Sequence, residues 1–390
     1  MTRRRICIFT ATRAEYGLLR WLVHDLAAMP QIDLQILASG SHFSQAFGET
    51  WREIEQDGTV IAARVEMLLD SDTASGMSTS LGLGVLKYGD TLDRLRPDLA
   101  VVLGDRYEAL AFAAACTCHR VPLAHLHGGE ATEGAIDDAI RNAISALAHL
   151  HFPAAESYGR RIRQMGAAAD RVVVVGAPAL DNLARLDLLS PEALAADVGL
   201  PEEGPLLLVT YHPETMANDG GRDGGKALLA ALDRFSGARV LATHANQDAG
   251  GRALNTALDA WAATRGPRVR VVPSLGVRRY LSAVKAAAVV VGNSSSGIIE
   301  APAAGTAVVN VGQRQKGRLR APAVIDCPAS EDDIVAAIGR ALHPDFQAMA
   351  ALAETPYGAP GASARIARKL AETTLDNLLS KPFQDMAGEP

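Results

Sequence analysis

The chain has 390 residues, 48% of them hydrophobic and 21% charged, with a formal net charge of −6. This length exceeds what one core usually supports, so two domains are expected, and the composition excludes a disordered polymer. The acidic balance gives no general attraction to nucleic acid or an anionic membrane, and no apolar run is long enough to span a bilayer.

The basic start, MTRRR, is followed by only about four apolar residues before Thr10, too few for a secretory signal. Four cysteines (Cys7, Cys116, Cys118, Cys327) form no disulfide framework, and C-x-C at 116–118 lies inside a predicted helix, where small buried side chains are the simplest reading. A cytoplasmic, reduced location is expected. No cluster has metal-ligand spacing, so neither metal nor other cofactor is expected.

In chain order, Arg5–Phe9 reads as a first central strand. Residues 10–17, TATRAEYG, read as a loop entering a helix over Leu18–Ala28. A strand, a turn of small residues and a helix start make a natural anion site, and Arg13 adds a fork of donors suited to phosphate. The second strand, Leu34–Ala38, ends in SGSH, which puts His42 beyond a strand end as a binding candidate. Gln45–Gln56 reads as helical, Ile61–Leu68 as β-prone, and Asp70–Gly84, rich in Ser, Thr and Gly, as a flexible loop. Leu86–Leu95 reads as a helix.

The next stretch carries the chemistry. Strand Leu99–Leu103 stops at Gly104-Asp105-Arg106, helix Tyr107–Cys118 follows, and strand Val121–Leu126 stops at His127-Gly128-Gly129-Glu130. Ligands of such βαβ units sit beyond the carboxyl ends of the strands. Both ends here carry ionisable groups, and Asp137-Asp138 lies at the start of the next predicted helix. Any one of these carboxylates alone can be a helix cap. Together they point to an enzyme, because like charges in one cleft raise each other's pKa and so supply one protonated acid and one ionised base.

A helix to about Leu150, a short strand at His151–Pro153, a helix over Ser157–Met165 and a strand over Arg171–Val175 complete an α/β doubly wound domain, residues 1–178. Residues 177–205 read as helical and polar, with prolines at 178, 191, 201 and 205, and the connection is placed at 179–205. The pattern then restarts for residues 206–362. Strand Leu206–Thr210 ends in YHPET, and helix Lys226–Phe235 follows. Strand Val240–Thr243 ends in HANQDAGG, followed by helix Arg252–Arg265, strand Val269–Val272, helix Val277–Ala286 and strand Ala288–Val291.

That last strand runs into GNSSSGIIE. Its exposed N–H groups and the hydroxyls of Ser294, Ser295 and Ser296, with Gly297, form a candidate diphosphate seat. Glu300, one turn into the helix, is placed for ribose hydroxyls. Strand Ala307–Asn310 and a basic loop over 312–320 follow, then helices Glu331–Leu342 and Ser363–Leu379. Ser363 is the expected cap of the last helix, which can cross back to the first domain.

In combination, TATRAEYG, ASGSHF, VVLGDRYE, AHLHGGEATEGAIDDAIR, YHPET, ANQDAGG, GNSSSGIIE and NVGQRQKGR resemble the hydrolysing UDP-N-acetylglucosamine 2-epimerases of bacterial sialic- and legionaminic-acid pathways, over roughly Ile6 to Gly317. The resemblance implies the glycosyltransferase-B architecture, two Rossmann-like domains facing a cleft. It also implies a UDP-linked 2-acetamido sugar substrate, and a homo-oligomer, dimer or tetramer. A base removes the C2 proton as UDP leaves C1, and water adds to the resulting 2-acetamidoglycal with inverted C2 stereochemistry. By the same resemblance, Asp105, Glu130 and Asp137 are the catalytic carboxylates, and His212 lies near the leaving phosphate. Arg13, His42, Arg106, Asn246, Ser294, Ser295, Ser296, Gly297, Glu300 and Arg314 bind substrate. Relatives can carry a carboxylate where this chain has His127, so the elimination base is Glu130 or His127. Rival readings are a UDP-sugar glycosyltransferase of the same architecture, a non-hydrolysing epimerase and a non-catalytic nucleotide-sugar sensor. The sugar itself, N-acetylglucosamine or N,N'-diacetylbacillosamine, and its UDP or GDP carrier stay open.

Overall fold

The computed structural model describes residues 3–45, 48–69, 71, 73–132, 136–213, 222–245 and 250–385. The elements of the first half are β1 (Arg4–Thr10), α1 (Arg13–Ala27), β2 (Ile32–Ser39), α2 (Trp51–Gln56), β3 (Ile61–Val65), α3 (Ala74–Leu95), β4 (Leu99–Leu103), α4 (Tyr107–Cys118), β5 (Leu123–Leu126), α5 (Ile136–Leu147), β6 (Leu150–Phe152), α6 (Glu156–Gln164) and α7 (Ala179–Arg185). The second half holds α8 (Pro191–Val198), β7 (Leu206–Thr210), α9 (Arg222–Asp233), β8 (Arg239–Thr243), α10 (Gly251–Ala263), β9 (Val269–Val272), α11 (Gly276–Ala286), β10 (Val289–Gly292), α12 (Ser295–Ala303), β11 (Ala307–Val311), β12 (Val324–Cys327), α13 (Glu331–Ala341), α14 (Pro344–Ala350) and α15 (Ala362–Glu372).

Each half builds a six-stranded parallel sheet, in the order β3-β2-β1-β4-β5-β6 and β12-β11-β10-β7-β8-β9. Strands such as LAVVL and LLLVT are buried along their whole length, because helices cover both faces of a parallel sheet. In the first sheet the Phe9 and Phe112 rings stack at 4.8 Å, with Tyr88 set edge-on to both. The two doubly wound sheets are the expected fold class.

Contacts divide the chain into two compact units. One contains the chain to Glu130, its continuation to Asp181 and the return from Tyr357; the other contains Asn182–Pro356. The return to the first unit therefore begins before residue 363. Ala177 N–H donates to the Tyr357 carbonyl at 2.9 Å, and the Asp181 carboxylate accepts from Ser363 N–H at 2.7 Å and also from Gly361 N–H. Asp181, on α7, thus caps α15 from outside the helix. Ser363 is not the cap: the N-cap residue is Gly361, and α15 stops at Glu372 rather than near Leu379.

Four further expectations fail for physical reasons. TATRAEYG is not loop to residue 17. The Thr12 hydroxyl accepts from Glu15 N–H while the Glu15 carboxylate accepts from Ala11 and Thr12 N–H at 2.6 and 3.2 Å, a capping box that starts α1 at Arg13. The Ser/Thr/Gly-rich 70–84 segment is helical from Ala74, with Thr73 as its cap. Gly84 serves packing: a Cβ there would lie 3.1–3.2 Å from Met67, Tyr88 and Ala111. Residues 171–175 form only a bridge, at Val172 beside His151, after a turn of 3₁₀ helix. In the first unit the helix expected over 45–56 begins only at Trp51, with residues 46–47 outside the described set; in the second, β12 and α14 were not foreseen.

Burial pushes the imidazoles of His42, His125 and His149 down to about 4. Unfolded imidazoles take up protons near pH 6.5, so these three groups lose their stabilising contribution as pH falls from there through 4. Glu15, pushed up to about 7 by burial, works in the opposite sense. A His42→Asn protein is expected to lose less stability between pH 6.5 and 4.5 than the natural chain in urea unfolding. An identical pH dependence would show that His42 titrates normally in the fold.

Candidate active site

In the first unit the carboxyl end of β4 turns at Gly104 into Asp105, and that of β5 turns at His127 into Gly128-Gly129-Glu130. What joins the two loops is Arg141, on the inner face of α5, whose side chain is 2% exposed. Its guanidinium pairs with Asp105 and, at 2.5 Å, with Asp138, and also donates to the Glu130 carbonyl at 3.1 Å. A buried arginine needs such partners, and its rigid fork suits several oxygens at once. Beneath the loops, His125 bonds the Gly104 carbonyl at 2.7 Å and the Ser145 hydroxyl at 3.0 Å, fixing the β4 turn.

The β5 loop is tightly specified. His127 has φ of 62°, rare for a residue with a side chain, and Gly129 has φ of 75°. A Cβ on Gly129 would sit 2.3 Å from the Tyr158 carbonyl oxygen, so only glycine fits. The turn brings His127 Nδ1 within 2.5 Å of Glu130 Oε1, both side chains being buried. Among the described residues, His127 Nε2 has no hydrogen-bond partner. Asp137, exposed in the first turn of α5, completes the group: desolvation, then the nearby Asp105 charge, hold its carboxyl above the usual range. Asp105, His127, Glu130 and Asp137 thus lie in one neighbourhood of a single unit.

Arg106 and His42 are committed elsewhere. Arg106 donates to both oxygens of the fully buried Glu108, at 2.9 and 3.2 Å, so its fork neutralises that carboxylate. His42 is fully buried, with Nε2 3.0 Å from the Thr10 hydroxyl and Nδ1 2.8 Å from the Thr50 hydroxyl. Both ring nitrogens are occupied within the fold. Arg13 is exposed at the first residue of α1.

In the second unit, the hub is Asn293. Its side-chain oxygen accepts from His212 N–H at 2.7 Å, and its amide donates to the His212 carbonyl at 2.8 Å. Its own carbonyl accepts from Arg314 at 3.0 Å and Gln315 at 2.8 Å. One buried amide therefore ties together the ends of β7 and β10 and the basic loop after β11. Ser294 caps α12, Ser295 opens it partly exposed, and Ser296 and Gly297 are buried in its first turn. Burial raises the Glu300 carboxyl while Ser296 opposes the shift, and the Tyr280 phenol lies near Ser296 and Glu300. Asn246 lies outside the described residues.

Gly292 makes this arrangement possible. Its φ is 140°, and a Cβ there would meet the Thr210 carbonyl oxygen at 2.0 Å. Gly292→Ala is expected to destabilise the protein by more than about 2 kcal/mol, since backbone strain and overpacking add. Urea unfolding measures this, and a neutral substitution would mean that β7 and β10 can separate freely.

Arg141, Asn293, Gln315 and His125 were missed from sequence. For Arg141 a signal existed, its i,i+3 spacing from Asp138 on a predicted helix. Asn293 looked like a turn residue, and nothing local marks its reach across to His212.

The sequence pattern of the UDP-N-acetylglucosamine 2-epimerase family matches residues 24–371. The chain is 39% identical over 333 residues to the GDP/UDP-N,N'-diacetylbacillosamine 2-epimerase (hydrolyzing) of Campylobacter jejuni, covering 85% of this chain and 86% of that one. It is 32% identical over 340 residues to the UDP-N,N'-diacetylbacillosamine 2-epimerase (hydrolyzing) of Legionella pneumophila, covering 87% and 89%. The crystal structure of UDP-GlcNAc 2-epimerase from Neisseria meningitidis bound to UDP-GlcNAc has the same fold, with a TM-score of 0.81 over 95% of this chain and all of that one at 16% identity.

Proposed function

The chain belongs to the UDP-N-acetylglucosamine 2-epimerase family, and we propose that it is a hydrolysing 2-epimerase whose substrate is a nucleoside-diphosphate-linked 2-acetamido sugar. The observation that carries this reading is that Arg141 ties together Asp105, Asp138 and the Glu130 carbonyl, with the Glu130–His127 pair and the Asp137 carboxyl in the same neighbourhood.

Inversion at C2 needs one group to take a proton from one face of the sugar and another to return a proton on the opposite face. Two acid–base groups with different environments meet that need. The Glu130–His127 pair removes the C2 proton; the C2–H electrons form the C1–C2 double bond, and the C1–O bond breaks to release the nucleotide. His212 and the α12 amino terminus neutralise the leaving diphosphate, with Ser294, Ser295 and Arg314 placed to donate to its oxygens. Asp137, whose raised carboxyl favours the protonated form, delivers a proton to C2 of the glycal, and Asp105 takes a proton from the water that adds at C1. The products are the free manno-configured sugar and the nucleoside diphosphate. The sugar is N,N'-diacetylbacillosamine rather than N-acetylglucosamine; the activities for which the Campylobacter and Legionella relatives are named favour it. The reading extends, on family resemblance, to a cytoplasmic homo-oligomer.

Turnover in heavy water is expected to leave one deuterium at C2 of the released sugar. In oxygen-18 water, the label is expected in the C1 hydroxyl, read before anomeric exchange, and not in the nucleotide. A glycosyltransferase acting as a slow hydrolase would label C1 alone, and a pyrophosphatase would label phosphate. Product without C2 deuterium would overturn the epimerase reading. Nucleotide release from UDP-N-acetylglucosamine and from UDP- and GDP-linked N,N'-diacetylbacillosamine identifies the sugar and its carrier.

A further inference from the structure

A cavity of about 190 Å³ lies in the first unit beside the edge strand β6. Its polar lining is His149, His151, Asp170, Arg171 and Lys381, and Lys381 reaches it from the chain that follows α15. At roughly 30 Å³ per water molecule, it has room for a small polyatomic ion with some of its hydration. None of these residues belongs to the loops that carry Asp105, Glu130 or Ser295.

The lining is dominated by donors. Lys381 donates to the Ala146 carbonyl at 2.5 Å and reaches the Ser145 carbonyl at 3.5 Å, at the carboxyl-terminal turn of α5, which leaves a third N–H. Arg171 is anchored by the carbonyls of Leu378 at 3.1 Å and Asn377 at 3.5 Å. His149 Nδ1 accepts from Leu123 N–H at 3.2 Å, so in the neutral ring the proton is on Nε2. His151 is 1% exposed, and neither ring nitrogen has a partner among the described residues. A buried imidazole with both nitrogens unpaired carries a desolvation cost that a ligand would remove. Burial and the mutual repulsion of Lys381 and Arg171 lower the Lys381 ammonium to about 8. A metal cation would meet those two positive charges, and the described residues contain no group of three or more His, Cys, Asp or Glu able to hold a metal. An anion, by contrast, would offset them, since Asp170 is the one carboxylate in the lining against two cations.

We infer that this cavity is a binding site for a small oxyanion, held by Lys381, Arg171 and the His149 and His151 rings and separate from the catalytic loops. Occupancy would couple the segment after α15 to β6 and α5, because Lys381 and Arg171 both tie that segment to the body of the unit. His151 also stands in register with His125, whose ring holds the Gly104 carbonyl next to Asp105.

Calorimetric titration of the full chain with inorganic phosphate, and separately with acetate, tests the inference. Saturating UDP is present throughout so that any diphosphate seat is filled. One saturable site is expected; the tighter ligand tells a phosphoryl from a carboxylate source. Lys381→Met and His151→Asn should each weaken binding at least about tenfold, the scale of one hydrogen bond to a charged group, with UDP affinity unchanged. Should Lys381→Met fail to fold by circular dichroism, His151→Asn still decides. Chemical shifts of histidine-labelled protein then give a second reading, since the His151 ring should respond to the anion. Absence of saturable binding by either anion, or binding that both variants leave intact, would overturn the site.

Discussion

Asp105→Asn is expected to lower turnover by at least about a hundredfold while the chain stays folded. The fold should survive because Arg141, the buried partner of Asp105, keeps Asp138 at 2.5 Å and the Glu130 carbonyl at 3.1 Å. An asparagine oxygen can also still accept from the guanidinium. Turnover is lost because the substitution removes both an acid–base group and a charge felt by Asp137. That charge is the second cause, after desolvation, of the raised Asp137 carboxyl. With it gone, the Asp137 pKa moves down toward the ordinary carboxylate range. If Asp137 must be protonated to deliver its proton to C2, the loss of activity at rising pH should begin at lower pH in the variant. The profile of kcat/KM against pH reads this shift, which loss of a merely structural ion pair would not produce. Near wild-type turnover in folded Asp105→Asn protein would remove Asp105 from the mechanism.

The strands and the loops at their ends were legible because parallel strands buried on both faces read as short apolar runs. Leu99–Leu103 and Leu206–Thr210 could be bounded from sequence alone. The acid cluster was legible for the same reason: strand ends in such sheets are where ligands meet the chain. The misses share one cause, which is that the deciding partner lies far away in sequence. Gly84 reads as loop until Ala111 of α4 is packed on it. Asp181 caps a helix some 180 residues later, and Asn293 acts on His212, 81 residues away. His42 lies after a strand end, as a ligand residue would, and its ring nitrogens are held by Thr10 and Thr50, 32 and 8 residues away.

Glu130→Gln is expected to lower turnover by about a hundredfold to ten-thousandfold, and to do so at the step that forms the glycal. Sequence alone left the base as Glu130 or His127. In the structure the two side chains form one hydrogen-bonded pair, Nδ1 to Oε1 at 2.5 Å, so a proton taken by either is felt by both. The imidazole cannot reorient freely, since its side chain is buried and its Nδ1 is held by Glu130. The carboxylate, three residues further on, has its backbone carbonyl fixed by Arg141. We therefore expect Glu130 to take the C2 proton and His127 to orient it. His127→Gln should then lose less than Glu130→Gln and still release deuterium from C2-deuterated substrate. A primary isotope effect larger than in the natural enzyme would place its defect at proton removal. If Glu130→Gln instead retains turnover while His127→Gln loses it, the imidazole is the base and the carboxylate its orienting partner.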